Sequence, residues 1–252
     1  MPKVLFSEQT GVAFITLNRP ENRNAIDMGL ANQLIDLLNS ISDMNSVKVA
    51  VLTGQGTSFC AGADLKQRRN MSFDQQAEHT EAILKCTNLM ELLPVPVIAA
   101  INGPAIAGGL ELALACDFRI ASNKALFSLP EVSLGAFPGA GAPIRLPGLI
   151  GMGWAKFLVL TGNKINMDDA FRLGLVQLVT EPEELMREVT DLANRISSYN
   201  TAGVRAVKVL MNSVPEMSHE VAASLSCALR HPLNKSPEWL DGINKKLAGK
   251  SM

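Results

Sequence analysis

The chain has 252 residues, 47% of them hydrophobic and 19% charged, with a formal net charge of −1. That length suits one large domain, or a core with a small extension, able to bury about three quarters of the unfolded chain's surface. The near-neutral charge argues against a nucleic-acid partner, and no apolar stretch reaches the ~20 residues that span a membrane.

Val12 to Leu17 is a short apolar run closed by Asn18-Arg19-Pro20, which predicts a strand and a turn. From Asp27 to Ser42, Leu30, Leu34, Leu37, Leu38 and Ile41 recur at helical spacing. Val47 to Thr53 predicts a buried strand, stopped by Gly54-Gln55-Gly56. Ser72-Phe73-Asp74-Gln75 has the form of a capping box, and the helix behind it ends before Pro94. Pro96 to Asn102 predicts a third strand, followed by a glycine-rich helix over Ala107 to Ala115 and short strands over Phe118 to Ala121 and Ala125 to Ser128. After the apolar run Leu175 to Val179 the pattern turns helical, with Leu185, Met186, Val189, Leu192 and Ile196 marking one helix and three more behind it. Near-continuous apolar strands alternating with helices predict an α/β fold. A boundary near Ser198-Tyr199-Asn200 divides a core over 1–198 from a helical region over 199–252. On pattern alone, the apolar faces of that region (Val204, Val207, Leu210, Met211; Val221, Leu225, Leu229) are read as packing within the chain.

Cys60, Cys86, Cys116 and Cys227 form no CxxC pair and lie in apolar or helical contexts, which predicts buried free thiols in a reducing compartment. His79, His219 and His231 are too scattered for a metal site. Met1-Pro2-Lys3-Val4 carries no signal-peptide pattern, so the expected location is the cytoplasm.

Nine of the 19 glycines fall between Gly103 and Gly153. Glycine serves where backbone must approach closely or turn with positive φ. Phe59-Cys60-Ala61-Gly62-Ala63-Asp64-Leu65 reads as a strand-to-helix turn of small residues, with Asp64 as a helix cap. Gly103 to Glu111 opens a second helix in the same way. Each turn has a plain structural reading, a tight turn or close helix–strand packing. Together, one N–H from each could hold a single carbonyl oxygen as an oxyanion. Glu111 falls among Leu110, Leu112, Ala113 and Leu114, where a charge needs a partner; a structural ion pair with Arg119 or Arg145 is the alternative to a proton-handling role. Glu131, after Pro130, reads alone as an exposed loop carboxylate.

At these segments the chain resembles the crotonase, or enoyl-CoA hydratase/isomerase, superfamily. The resemblance runs end to end: Ile15 to Ala25, Ser58 to Leu65, Pro94 to Asp117, Phe127 to Gly141, Leu160 to Gly162 and Lys235 to Ile243. It implies a spiral of ββα units with a C-terminal helical trimerisation region, assembled as a homotrimer or a hexamer. It implies an acyl-CoA thioester substrate, with no metal and no cofactor beyond the coenzyme A of that substrate.

By this resemblance the oxyanion hole comes from the backbone N–H groups of Ala63 and Gly108. The catalytic acids are Glu111 and Glu131, which hold a water between them, with Glu131 the donor to the α-carbon. Gly139 matches a backbone position near that water. Ala61, Asp64, Leu65 and Lys66 flank the pantetheine path, and Arg23 and Ala25 match the loop near the adenosine end. Met71, Phe73, Ile83 and Leu84 fall in the segment that usually lines the acyl pocket. Possession of both acids points to hydration of a trans-2-enoyl-CoA to a 3-hydroxyacyl-CoA. A Δ3,Δ2-enoyl-CoA isomerase is the alternative, and a binding protein on the same fold, for RNA for instance, sits poorly with the charge and the intact acids. One departure stands out: where the hydratases often carry Thr-Gln, this chain has Pro143-Ile144, expected to alter the acyl pocket or the hydrogen bonds supporting Glu131.

Overall fold

The chain opens with a β-hairpin, whose second strand alone is evident in the sequence pattern. In the computed structural model, which describes residues 1–249, β1 (Val4–Gln9) pairs antiparallel with β2 (Val12–Leu17) across Thr10 and Gly11, both with positive φ. β1 is exposed beyond Val4, so its apolar signal is weak. The remaining strands are β3 (Val49–Gly54), β4 (Val97–Ile101), β5 (Ala105–Ile106), β6 (Phe118–Ser122), β7 (Phe127–Ser128) and β8 (Leu178–Thr180). The helices are α1 (Met28–Asp43), α2 (Leu65–Arg68), α3 (Phe73–Leu92), α4 (Gly108–Leu114), α5 (Ala142–Ile150), α6 (Met152–Thr161), α7 (Met167–Arg172), α8 (Leu185–Ser197), α9 (Thr201–Ser213), α10 (His219–Leu233) and α11 (Pro237–Leu247).

The main sheet runs β1-β2-β3-β4-β6-β8 and is parallel from β2 onward. Side chains alternate across it. Val12, Val49, Val51, Ile98 and Ala100 face α8, which lays down Leu185, Val189 and Ala193. Ile15, Leu17, Leu52, Ala99 and Ile101 face the larger core, which α1 fills with Leu30, Leu34, Leu38 and Ile41 and α3 with Ile83, Cys86 and Met90. Burial on both faces explains why these strands read as unbroken apolar runs. α3 starts at the expected capping box, Ser72 with Gln75.

A second ladder makes the fold a spiral. After β2, Ile26 bridges Ala63, which follows β3; Cys60 bridges Ala105, which follows β4. β5 pairs parallel with β7, and Phe127 bridges Ile165. Each circuit of the chain thus gives one strand to the sheet and one short segment to the ladder, then returns through helix. The α/β spiral expected from the resemblance is the fold observed.

Some expectations change. α5, α6 and α7 were not anticipated; Pro143, Pro147, Gly151 and Gly153 break the helical pattern of the first two, although Pro143 occupies the first turn, where its missing N–H costs nothing. The apolar run Leu175–Val179 is divided: Leu175 and Val176 are buried in the core, and β8 takes up Leu178 to Thr180. Cys60, Cys86 and Cys116 are buried free thiols, but Cys227 is exposed on α10. No described helix is long and apolar enough to cross a membrane.

The faces read as packing within the chain are only partly covered: Val204, Leu210, Leu225 and Leu229 are half-buried, while Val207, Met211 and Val221 are exposed, and α10 and α11 are covered least. Neither helix buries a residue, and Val221, Trp239, Leu240 and Ile243 stand exposed. The reason is that α10 rests on α9 rather than on the core.

α9 itself is pinned by Lys208, whose Nζ donates to Asp117 Oδ2 at 2.7 Å and to the Val95 carbonyl at 2.9 Å. Lys208 is nearly buried and Asp117 about one-fifth exposed. Lys208→Met leaves that carboxylate with only the Val97 N–H. The expected cost is about 3 kcal/mol, the low end of the ~3–5 kcal/mol for breaking a buried pair. Urea unfolding measures it, and pairing the change with Asp117→Asn should recover part of the loss.

Candidate active site

The β5–β7 pair builds the site. β5 runs into Ala107-Gly108 and the start of α4, while β7, alongside it, runs through Leu129-Pro130 to Glu131. Ala107 sits at φ 53°, ψ −129°, a strained setting for a residue with a Cβ, held by its N–H on the Ser128 carbonyl. Across from it, Gly62 (φ 85°) packs against Ala107, and Ile26 clamps this turn: its N–H donates to the Gly62 carbonyl and its carbonyl accepts the Asp64 N–H. The N–H groups of Ala63 and Gly108 have no partner among the described residues. A Cβ built on Gly108 would lie 3.8 Å from Ala63 N, so the two donors border one small space.

That space opens into a cavity of about 190 Å³, lined by Ala61, Ala63, Leu65, Ile83, Gly108, Glu111, Glu131 and Gly139, among others. Glu111 lies one turn into α4 and is 2% exposed. Its Oε1 accepts the N–H groups of Ala140 and Ala142, each at 2.9 Å. Burial leaves its pKa raised, and those N–H groups, with Arg145 nearby, offset only part of that push. Neither suggested ion pair is formed. Arg119 is spent on the carbonyls of Leu175, Ala113 and Cys116, and Arg145 pairs with Glu91. Glu131 begins a short 3-10 helix, Glu131–Leu134. It is half-buried rather than the exposed loop carboxylate its sequence setting indicated, and its Oε2 is buried without a partner. Burial first, then the neighbouring Glu111, push its pKa up to about 7. The cavity therefore holds one buried acid anchored by backbone donors and one poised to carry a proton near neutrality.

Two unencumbered N–H groups beside such a pair suit a carbonyl whose α-carbon gains or loses a proton. The family model for enoyl-CoA hydratase/isomerase matches residues 7–237. The chain belongs to the enoyl-CoA hydratase/isomerase family. A crotonyl-CoA hydratase of Syntrophomonas wolfei is 40% identical over 223 residues, 88% of this chain and 86% of that protein. An enoyl-CoA isomerase/hydratase of Mycosarcoma maydis is 37% identical over 252 residues, 95% of this chain and 92% of that one. The crystal structure of an enoyl-CoA hydratase from Bacillus anthracis superposes with a TM-score of 0.95 at 35% identity, covering 98% of this chain and 97% of that one.

Within this enoyl-CoA hydratase-like enzyme the expected residues divide. Ala61, Ala63, Leu65, Gly108, Glu111, Glu131 and Gly139 converge on the cavity. Arg23, Ala25, Asp64 and Lys66 do not line it. Arg23 and Lys66 are exposed, while Ala25 is buried beside the Arg23 carbonyl that accepts the Ala61 N–H. Asp64 faces inward, capping α2 through the Lys66 and Gln67 N–H groups and pairing with Arg19 at 3.0 Å, a structural duty. Of Met71, Phe73, Ile83 and Leu84, only Ile83 reaches the cavity, and Phe73 points into solvent. Pro143 and Ile144 do not line it either: Ile144 is 80% exposed, and Arg145 keeps its bonds to Glu91 and Ala140. Unanticipated were the N–H donors of Ala140 and Ala142 and two lining residues, Arg68 and Thr80.

Proposed function

We propose that the protein adds water across the double bond of a short trans-2-enoyl-CoA to give the 3-hydroxyacyl-CoA. The thioester oxygen sits between the Ala63 and Gly108 N–H groups, which strengthen their hold as the enolate forms; such donors are commonly worth about 3–4 kcal/mol each. Water lies between the two acids. As its oxygen bonds the β-carbon, Glu111 takes the departing proton and Glu131 delivers its own to the α-carbon. The pair begins and ends with one proton between them, so no redox or metal partner is needed. The observation that carries this reading is the asymmetry of the pair: Glu111 anchored by two N–H groups, Glu131 with a buried, unpartnered oxygen in the same cavity. The cavity lies below the ~300–1,000 Å³ of common ligand pockets, which supports a short acyl group. The names of the crotonyl-CoA hydratase and other bacterial relatives support the same class, and the three buried thiols suit the cytoplasm. Arg23 and Lys66, exposed, are available to the coenzyme A phosphates.

Mixing the purified protein with crotonyl-CoA should bleach the conjugated-thioester absorbance. Persistence of that absorbance across short, long and branched enoyl-CoAs would turn the reading to isomerisation or to binding alone.

The uncovered faces of α10 and α11 support a homotrimer, alone or stacked as a hexamer. Sedimentation equilibrium at micromolar concentration should return three or six chain masses; a monomer overturns this.

A further inference from the structure

The cavity contains a cation that the mechanism above does not use. Arg68, the last residue of α2, lines the same cavity as Glu111 and Glu131, and its side chain is held by two bonds from α3. Its Nε donates to His79 Nδ1 at 3.2 Å, and its Nη2 donates to Thr80 Oγ1 at 2.8 Å. The Thr80 hydroxyl passes its own proton to the Gln76 carbonyl at 3.0 Å, which leaves its oxygen lone pairs for Arg68.

His79 sets the geometry. It is fully buried, and its Nε2 lies 2.9 Å from the Ile26 carbonyl. A carbonyl only accepts, so Nε2 carries the ring proton and Nδ1 presents its lone pair to Arg68. Burial and the adjacent guanidinium both hold the ring neutral, with Asp27 and Asp64 opposing weakly from the far side. The Ile26 carbonyl that fixes this tautomer also accepts the Asp64 N–H. One residue therefore positions both the Ala63 turn and the arginine.

From this arrangement we infer that Arg68 is a positioning residue for the Glu111–Glu131 pair, its guanidinium aimed by His79 to balance the single negative charge that the pair carries when it shares one proton. This rests on the hydration reading above. The groups facing the pair are few: Arg68 from α2, Arg145 from α5 beside Glu111, and each acid upon the other. Arg145 is already neutralised by Glu91. Arg68 has no carboxylate within salt-bridge reach among the described residues, so its charge is left for the pair.

The sign follows. Arg68 and the two carboxylates attract across the shared cavity, and at Glu131 the guanidinium opposes the upward push of burial. Without Arg68, each acid needs a higher pH to ionise. Glu111 must be ionised to accept a proton and Glu131 protonated to give one, so both limbs of the bell-shaped profile of kcat/KM move the same way.

The test compares pH profiles of crotonyl-CoA hydration for the wild type, Arg68→Met and Arg68→Lys. Arg68→Met should move both limbs upward by about one pH unit, which is about tenfold in rate at a fixed pH on the acid limb. Arg68→Lys should return them most of the way. Superposable profiles for Arg68→Met and wild type, or equal displacement in Arg68→Lys, would overturn the inference while leaving hydration standing. A wild type that hydrates no enoyl-CoA would instead remove the reading beneath it. Arg68→Gln, which keeps a donor for Thr80 without the charge, replaces Arg68→Met if that variant does not fold. Infrared titration of the Glu131 carboxyl, identified by its loss in Glu131→Gln, gives the same upward shift without relying on turnover; an unmoved band counts against the inference.

Discussion

Glu131→Gln and Glu111→Gln are each expected to lower kcat for enoyl-CoA hydration by at least ~10²-fold, the scale on which a positioned acid or base contributes. Acyl-CoA binding should be nearly intact, because the Ala63 and Gly108 N–H groups are untouched. Glutamine keeps the shape at both positions. At 131 it cannot release a proton to the α-carbon. At 111 its amide oxygen can still accept from Ala140 and Ala142, but it is too weak a base to take a proton from water. The double variant should lose less than the product of the single losses, because both acids act on one water. Single-turnover hydration of crotonyl-CoA separates these terms, and a near-wild-type rate in either single variant would overturn the two-acid assignment. The Glu131 change should not cost stability. An acid whose folded pKa is pushed to about 7 destabilises the fold progressively as pH rises from the ordinary carboxylate range towards that value. Glutamine removes this penalty, so Glu131→Gln should be at least as resistant to urea as the wild type at pH 8.

What could be read from the sequence follows from how local each signal is. β3 and β4 are visible because burial on both faces leaves an unbroken apolar run. Glu111 stands out because a charge among Leu110, Leu112 and Leu114 demands a partner. The identity of that partner was not visible: the Ala140 and Ala142 N–H groups lie about 30 residues onward, presented by backbone that any sequence could supply. Arg68 escaped notice for a similar reason. In sequence it is one basic residue in an exposed-looking Lys66-Gln67-Arg68-Arg69 run, and His79 looks isolated. Only the crossing of α2 against α3 and the Ile26 carbonyl, 53 residues from His79, turns them into a unit. Lys208 and Asp117 meet across 91 residues. α5 and α6 were obscured by prolines and glycines: Pro143, Gly151 and Gly153 sit at helix ends or in first turns, where such residues do little harm, while Pro147 stands inside α5. The faces of α10 and α11 carry apolar residues at helical spacing in either case; the pattern records that something covers them, not whether it is this chain or another.

Two neighbouring glycines should behave oppositely. Gly108→Val is expected to leave the fold standing and abolish hydration. A Cβ at Gly108 meets Ile83 Cγ2 at 3.5 Å, the Gly62 Cα at 3.7 Å and Ala63 N at 3.8 Å, all ordinary contacts. The protein therefore has room for it, but the room is the space between the two N–H donors. Removing one oxyanion donor typically costs about 10²–10³-fold. A valine that blocks access to both should exceed this and bring crotonyl-CoA turnover to background. Gly109→Ala tests packing instead. Its Cβ would fall 2.2 Å from the Cys60 carbonyl oxygen, which is backbone held by the Ile106 N–H. Either α4 or the Cys60 turn must shift, so this variant should lose several kcal/mol of stability or fail to fold, as overpacking against rigid backbone does. Urea unfolding with circular dichroism, alongside turnover, separates the cases: Gly108→Val should unfold near the wild-type midpoint with no activity, and Gly109→Ala should unfold early. Normal hydration by Gly108→Val would mean that the thioester does not lie against Gly108, and the site would have to be sought elsewhere along the cavity.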